Sequence, residues 1–403
     1  MMVLRCKRKV LLGTISLMLL SLMMIFQSEK YMIKLILLGL IFLFASYKIR
    51  ISKQCLFFYF SYVIFGLWGT MIGILNFTPY PFSSITTTVI YPILSVIIIT
   101  LLNTENSYKQ LIKVMFVTHT FIVLYDIIYC FSVIIGFSFP LIYSNISEAF
   151  SFYGTSSRLN FVNLNTLTFT TPVFFLLWIT KYDFGIGRKI QFVIILLTSF
   201  LCILSGRRSF MLVFVAIPIV LFLLKDKFNK DVSKQVKKML LWWSIIILSF
   251  FAFFAFFYSD ILAGYWDVFS RAFDSGREPI KFAQSKMLIN EFMKSPIVGQ
   301  GFGQIFYEPS PGREIWSHQY ELQYHLKLAQ TGIIGFLFLV ISYFGILFYG
   351  FYLFNRKHDI LLFSFLIGFF FVLVADATNP VLCSFDLMPP LFLCLAKINY
   401  NTI

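Results

Sequence analysis

The sequence predicts an all-α integral membrane protein with about twelve transmembrane helices and one large extracytoplasmic loop that carries short helices. Of its 403 residues, 59% are hydrophobic and only 13% are charged, whereas a soluble domain carries roughly 45–50% apolar and about 25% charged residues. The 52 phenylalanines exclude a disordered chain, because disordered segments are poor in aromatic residues. Apolar runs near the length of a membrane-spanning helix also recur along the chain.

Each predicted span is an apolar run close to the roughly 20 residues that a spanning helix needs. The first run, 10–26, follows a basic stretch and lacks a small-residue cleavage site, so we predict an uncleaved span. The other runs lie at 31–47, 55–75, 85–102, 111–136, 164–180, 190–205, 209–224, 239–258, 331–354, 360–376 and 389–398. Helices are favoured over a barrel, whose strands would alternate over about 10 residues.

The lysines and arginines predict how these spans are oriented. With the N-terminus in the cytoplasm, most of the 33 basic residues fall in or beside inner loops, as the positive-inside rule requires. Both termini of the chain are then cytoplasmic. The net charge of +15 is explained by helix orientation and contact with anionic lipid, so no nucleic-acid partner is predicted.

The spans and loops divide the chain into three predicted parts. Residues 1–258 form transmembrane helices one to nine with short loops, and residues 331–403 form helices ten to twelve. Between them, 259–330 is the large extracytoplasmic loop, which we predict to cap the active site. Within the loop, 278–294 predicts an amphipathic helix. Its apolar stripe contains Phe282, Leu288, Ile289, Phe292 and Met293.

A glycine-rich turn follows this helix, with the sequence Gly299-Gln300-Gly301-Phe302-Gly303. Such a turn can present backbone N–H groups to a phosphate. It can equally be a tight turn packed at the membrane surface. The second interpretation is favoured, because no βαβ pattern surrounds the turn.

Three titratable residues precede the tenth predicted span: His318, Glu321 and His325. In a helix they would share one face, as catalytic groups or as hydrogen-bonding groups that hold loop segments together. A zinc site is disfavoured, because the HExxH signature is absent. The six cysteines show no metal-ligand spacing either, so no metal is predicted. Outward arginines nearby favour the functional interpretation.

Other ionisable residues fall in or beside the spans. His119 and Asp126 share a face of the fifth span, and ionisable groups in a span are functional candidates. Asp376 and Asp386 flank the last outer loop, where each is expected to cap a helix or to pair with an arginine. The loop 145–158 is rich in polar residues, which are typical both of a loop that contacts a sugar and of a plain solvated loop.

Five short motifs occur in a fixed order between residues 205 and 335. They are Ser205-Gly206-Arg207-Arg208-Ser209, Asp274-Ser275-Gly276-Arg277, the turn from Ser295 to Gly303, the helix with His318 and Glu321, and Thr331-Gly332-Ile333-Ile334-Gly335. In this order the chain resembles the O-antigen ligase and polysaccharide polymerase superfamily of bacterial envelopes. The resemblance implies glycosyl transfer from polyprenyl-diphosphate-linked sugars, outside the cytoplasmic membrane, without metal, nucleotide or other cofactor.

The resemblance also implies roles for particular residues. Arg207 or Arg208 matches the family's arginine in the short turn, and Arg277, or less well Arg271, matches the one early in the long loop. These side chains would bind the substrate diphosphate. Glu321 lies at the distance before the Gly-x-x-Gly motif at which the family usually has a histidine. His318 and His325 lie to either side, so all three are catalytic candidates.

Within the superfamily we predict a repeat-unit polymerase of the cytoplasmic (inner) membrane, because the glutamate-bearing helix looks more like polymerase relatives. The alternative is an O-antigen ligase that moves the glycan to a lipid-A core. A lipid-linked sugar flippase or transporter is less favoured, because its ionisable residues would lie near the midplane in paired halves; a structural membrane partner is a further alternative. Predicted partners are the polyprenyl-diphosphate-linked oligosaccharide, membrane lipid, and, as candidates, a chain-length regulator and a flippase.

Overall fold

The structure is a computed structural model that describes residues 2–27, 29–44, 50–137, 139, 142, 163–205, 208–224, 227–228, 230–257, 279–306 and 320–403. In these ranges it is helical and has no strand, which confirms the predicted all-α class. The α-helices described are α1 Met2–Ile25, α2 Tyr31–Phe44, α3 Lys53–Leu75, α4 Tyr91–Leu101, α5 Glu105–Ile135, α6 Leu164–Ile179, α7 Arg188–Ser205, α8 Arg208–Leu224, α9 Lys230–Phe257, α10 Pro279–Lys294, α11 Gln323–Lys357, α12 Ile360–Asp376 and α13 Pro389–Thr402.

Helix α10 matches the helix predicted inside the long loop, and each other helix overlaps one predicted span. Among the described residues, three helices are long and apolar enough to cross a membrane: Lys53–Leu75, Glu105–Ser132 and Gln323–Lys357. Several of the others are shorter apolar helices. The protein is therefore a helical membrane protein, while the count of twelve spans stays a prediction.

Local sequence sets the ends of several helices. Helix α5 begins with a capping box, in which Thr104 and Ser107 bond reciprocally, and it ends at Gly136 in the left-handed conformation. Asp359 caps the N-terminus of helix α12, and its carboxylate accepts hydrogen bonds from the N–H groups of Leu361 and Leu362. These caps satisfy backbone donors that a helix cannot satisfy internally.

The core is built from aromatic and branched side chains that most of the helices contribute. Helix α11 packs along α3, and α12 packs along α6. The rings of Phe116 and Phe174 meet edge to face with centroids 5.1 Å apart, and Phe354 stacks on Phe363 at 4.6 Å. Such ring pairs add specific geometry to the apolar contact.

One end of the bundle gathers the loop that precedes α3, the connection between α11 and α12, and the C-terminal helix. The Ser52 N–H donates to Asn399 Oδ1 at 2.7 Å, and Lys397 Nζ lies 2.9 Å from Asp359 Oδ2. Tyr108 at the start of α5 packs on Tyr400. We call this the opposite end.

The other end gathers residues 297–306, 320–334 and 376–386, and we call it the loop end. There the side-chain amide of Asn76, at the C-terminus of α3, donates to the Gln300 carbonyl at 3.1 Å. Helices α3, α11 and α12 each run from one end to the other. The described loops that the sequence predicts on the same side of the membrane thus lie at the same end of the bundle. Which end faces the cytoplasm stays a prediction.

Candidate functional site

Helix α11 is broken at Gly332, whose backbone (φ 60°, ψ −171°) is not helical. The break separates residues 323–331, which we call the α11 arm, from the long apolar part of the helix. The arm lies at the loop end, directly after Glu321. Its position therefore decides where two of the predicted catalytic residues, Glu321 and His325, are held.

The glycine-rich turn binds the arm to the bundle through its backbone. The N–H groups of Gly299, Gln300, Gly301 and Phe302 donate to the carbonyls of Ser295, Ala329, Gln330 and Gly69 at 2.7–3.1 Å. Four consecutive donors are thus occupied by carbonyl acceptors. The phosphate-binding alternative is wrong for these N–H groups, and the tight-turn interpretation is the one that the structure bears out.

Two glycines are required by this clamp. Gly301 has a φ of +95°, and a Cβ there would overlap the backbone of Gly73 in α3. A Cβ on Gly332 would overlap the Ile297 carbonyl. Trp68 of α3 closes the contact, because its Nε1 donates to the carbonyls of Val298 at 3.2 Å and Thr331 at 3.0 Å.

Glu321 lies just outside the arm and is held by α10. Its Oε2 is 3.2 Å from Lys281 Nζ, and its backbone N–H donates to Gln284 Oε1 at 3.2 Å. Both side chains of the ion pair are partly exposed. Such a pair contributes roughly 0–1 kcal/mol, so its main effect is to orient the carboxylate.

The predicted helix through Glu321 and His325 is only partly correct. Helix α11 begins at Gln323, and the backbone of Leu322 (φ −89°, ψ 76°) is not helical. Glu321 therefore precedes the helix and does not share its face with His325. The reason is tertiary: Gln284 of α10 binds the Glu321 N–H. His325 itself is half-buried in the first turn of the arm.

A small apolar cluster fixes α10 against the arm. It contains Leu288 of α10 together with Tyr320, Leu326 and Ala329. The Tyr320 hydroxyl also accepts a hydrogen bond from the Phe306 N–H at 3.3 Å. Helix α10, the arm and the glycine-rich turn are thus one packed unit at the loop end.

A buried ion pair holds the other side of the arm, and sequence reasoning did not include its lysine. Lys327 Nζ lies 2.7 Å from Asp376 Oδ2, and Asp376 Oδ1 accepts the N–H groups of Val381 and Leu382 at 3.0 and 2.8 Å. The sequence does contain a signal for this pair. Lys327 lies next to a predicted span, and a charge in such a place needs a partner.

Asp386 has a similar arrangement. Its carboxylate lies 2.7 Å from Lys34 Nζ, and both side chains are buried. Asp376 and Asp386 were each expected to cap a helix or to pair with an arginine; the cation that the structure describes beside each of them is a lysine. Both pairs fasten the loop between α12 and α13 to neighbouring helices.

The two ionisable residues predicted on the fifth span have different surroundings. His119 is buried and connects α5 to two other helices, with Nδ1 at 2.8 Å from Thr170 Oγ1 and Nε2 at 3.1 Å from Thr198 Oγ1. This is a packing role. Asp126 is also buried, and within the described ranges its Oδ2 has no hydrogen-bond partner.

Several predicted site residues lie outside the described residues. They are Arg207, Arg271, Arg277 and His318, together with the loop 145–158. Arg208 begins α8, and only its backbone is described. The predicted gathering of arginines around a diphosphate therefore stays a prediction.

Metal ligands and cavities are the other features that could form a site. In the part of the chain that the structure describes, no three His, Cys, Asp or Glu residues lie together as metal ligands would. An apolar cavity lies between α1, α4, α5 and α13, beside Leu102 and Ser107. None of the residues that line it belongs to the site around Glu321.

The fold and the site define a helical membrane protein whose loop end holds a carboxylate, a histidine and two buried lysine–aspartate pairs. Residues 192–340 match the family model described as O-Antigen ligase. This match confirms the resemblance to the O-antigen ligase and polymerase superfamily. The matched residues include the Arg207–Arg208 turn, α10, the glycine-rich turn and the arm. A search of curated proteins found no match.

Members of this family are glycosyltransferase-like enzymes, either ligases or polymerases. They act on lipid-linked oligosaccharide and membrane lipid substrates. The family supports a ligase-type or polymerase-type function and does not distinguish between the two. The apolar helices and the family agree that the protein resides in a membrane.

Proposed function

We propose that this protein is a polysaccharide repeat-unit polymerase, a metal-independent membrane glycosyltransferase. It transfers a glycan from polyprenyl diphosphate to a lipid-linked repeat unit on the outer side of the cytoplasmic membrane, with both termini of the chain in the cytoplasm. The observation that carries the proposal is the family match over 192–340. That stretch contains both the arginine turn and Glu321.

The arginines are assigned to the donor substrate. Arg207, Arg208 and Arg277, with Arg271 as a further candidate, bind the diphosphate oxygens. Guanidinium groups bind such oxygens through two parallel hydrogen bonds and remain charged. Negative charge grows on the diphosphate as the glycosidic bond breaks, so fixed positive charge stabilises its departure. The loop 259–330 then acts as a cap over the site, between the helices of 1–258 and 331–403.

Glu321 is assigned as the base. The acceptor hydroxyl oxygen forms a bond to the anomeric carbon, the bond from that carbon to the diphosphate breaks, and the hydroxyl proton passes to the carboxylate. Lys281 and Gln284 support this role, since they hold Glu321 at the edge of the arm. His318 and His325 remain the alternative bases.

Polymerase is preferred to ligase because the segment that carries Glu321, at the spacing where the family's histidine is usual, looks more like polymerase relatives. The two reactions differ in their acceptor, which is a lipid-linked repeat unit for a polymerase and a lipid-A core for a ligase. A chain-length regulator and a flippase are proposed partners of the polymerase.

Single alanine substitutions at Arg207, Arg208, Arg277, Glu321 and His318 test the catalytic assignments. We expect surface polysaccharide to shorten. Loss of one acid–base group commonly lowers the rate by roughly 10²–10⁴-fold, and loss of an arginine removes positive charge that stabilises the departing diphosphate. Arg356→Ala is the control, since this arginine lies over Tyr352 near the opposite end. Wild-type chain length in every variant, at normal protein level, contradicts the assignments.

A deletion strain separates polymerase from ligase. Loss of a polymerase leaves a single repeat unit on the acceptor, whereas loss of a ligase leaves long lipid-linked chains. Accumulation of long lipid-linked glycan would replace the polymerase proposal by the ligase alternative.

A further inference from the structure

The apolar stripe predicted on α10 is divided between two sides of the helix. Leu288 is fully buried against the arm, and Phe292 packs beside it. Phe282, Ile289 and Met293 are instead 45%, 47% and 66% exposed. Only part of the predicted stripe therefore serves the packing of the loop, and the rest faces away from the protein.

The exposed residues form one continuous strip. Phe282, Ile289 and Met293 are separated by seven and four residues, so they lie above one another on the helix surface. Phe282 and Met293 are 11 residue steps apart, which is about 16 Å along the helix. Ile297 continues it beyond the end of α10 and is itself 62% exposed.

This strip is continuous with the outer face of a membrane-length helix. The N–H groups of Ile333 and Ile334 donate to the carbonyls of Pro296 and Ile297 at 2.9 and 3.1 Å. Ile297 therefore lies beside the first residues of α11 beyond its break. From Ile333 onward, α11 has its own exposed apolar row, which continues through Leu337, Ile341, Phe344 and Phe348.

The exposed row on α11 is the surface that contacts lipid if this helix crosses the membrane, because such a helix keeps its apolar side chains in the acyl region. A strip that joins this row at the loop end lies at the level where α11 leaves the bilayer. Lys286 borders the strip on α10 and is exposed, and lysine side chains beside an apolar strip are suited to lipid phosphates.

We propose that α10 lies on the surface of the lipid bilayer and inserts Phe282, Ile289 and Met293 between the lipids. The partner of this surface is the bilayer itself. The side of α10 that faces the arm carries Lys281 and Gln284, both of which contact Glu321. The membrane-bound helix thus fixes the height of Glu321 above the lipid surface. This last consequence rests on the proposed function, whereas the docking does not.

The test uses two single-cysteine substitutions in full-length protein, reconstituted in phospholipid nanodiscs that hold one copy each. Ile289→Cys lies on the strip, and Ala283→Cys is exposed on a different side of the same helix. A water-soluble maleimide should react with Ile289→Cys about tenfold more slowly than with Ala283→Cys, because the strip is covered by lipid. Wild-type protein measures labelling of the native cysteines.

A second measurement identifies what covers the strip. A nitroxide attached at residue 289 should collide readily with oxygen, which concentrates in lipid, and rarely with a water-soluble nickel chelate. Equal maleimide rates at 283 and 289 would overturn the proposal. Protection from both oxygen and nickel would overturn it as well, since a protein segment would then cover the strip. One copy per nanodisc prevents a second copy from producing the expected result. Neither readout depends on enzymatic activity.

Discussion

The lysine–aspartate pair that holds the α11 arm is a residue-scale feature with a large expected effect on stability. Lys327 and Asp376 are both buried, and the Asp376 carboxylate also orders two backbone N–H groups of the next loop. Removal of one partner leaves an uncompensated buried charge, which costs about 3–5 kcal/mol. Neutralising both partners leaves no such charge.

We therefore expect Lys327→Met to destabilise the protein by roughly 3–5 kcal/mol, and the double variant Lys327→Met/Asp376→Asn to be distinctly more stable than the single one. Asparagine retains an oxygen that accepts from Val381 and Leu382. Thermal unfolding of purified protein, followed by tryptophan fluorescence, measures the order. Lys281→Met is the matched control, because its ion pair is partly exposed. Equal losses in Lys327→Met and Lys281→Met would contradict the argument.

These residues also show where sequence reasoning stops. Asp376 and Asp386 were identifiable because a carboxylate beside a span needs a partner. The partner itself, Lys327 or Lys34, is 49 residues away in the first case and in a different helical hairpin in the second. Composition and spacing carry no information about such contacts, so the nearest guess was an arginine.

At the scale of elements, the glycine-rich turn acts as a backbone clamp between α3 and α11. Its N–H groups are bound to carbonyls, and the turn approaches the backbone of α3 so closely that a side chain has no room at Gly301. The spacing of the glycines predicted a tight turn. The partner backbone, Gly73 of α3, was not predictable, because it lies far away in the sequence.

Gly301→Ala should loosen this clamp. Alanine at a positive φ costs roughly 1–2 kcal/mol, and overlap with the Gly73 backbone adds to that. We expect a lower unfolding temperature and shorter polysaccharide, because the arm and Glu321 are displaced together. Gly187→Ala is the control, since a Cβ there meets no atom within 4 Å. A Gly301→Ala protein as stable as the control would show that the clamp is not required.

Helix α10 has a pH-sensitive contact with the same turn. Burial disfavours the charged form of Glu291, but hydrogen bonds from Lys294 and Gln300 outweigh it, so the pKa of Glu291 is lowered. A carboxyl group with a lowered folded-state pKa stabilises the protein above its unfolded pKa of about 4.3. This stabilisation is lost as the pH falls through the folded pKa.

Glu291→Gln should therefore be less stable than wild type at pH 7, by roughly 0.2–1 kcal/mol as for other partly exposed pairs. The difference should be smaller at pH 3 than at pH 7. Thermal unfolding at the two pH values measures it, with Glu105→Gln as the control on an exposed pair. A constant difference at both pH values would exclude a role for the Glu291 charge.

The same element shows why local patterns gave only part of the site. The period of apolar residues correctly predicted α10, because an amphipathic helix needs no distant information. It did not predict that α11 begins only at Gln323, because the preceding residues are held by Gln284 and by the Tyr320 cluster. The arrangement of Glu321 and His325 follows from those tertiary contacts.

At the scale of the whole molecule, the loops that the structure describes are divided between two ends. The fold class was predictable because a chain with so much apolar surface can fold only in lipid, where helices satisfy their own backbone. The alternation of basic and less basic loops predicted which loops are neighbours, and the hydrogen bonds at each end agree. Which end of the bundle faces the cytoplasm depends on the charges of the loops during membrane insertion. The contacts in the folded protein do not determine it.

The proposed function depends on which end of the bundle faces the cytoplasm. Thr378 is exposed in the loop between α12 and α13, and Lys109 is exposed on α5 near the opposite end. A membrane-impermeant maleimide added to intact cells should label Thr378→Cys, because the positive-inside rule places the loop end outside. Lys109→Cys should react only after the membrane is opened. Wild-type cells provide the background. Labelling of Lys109→Cys but not Thr378→Cys would put Glu321 in the cytoplasm, where no outward-facing polymerase could use it.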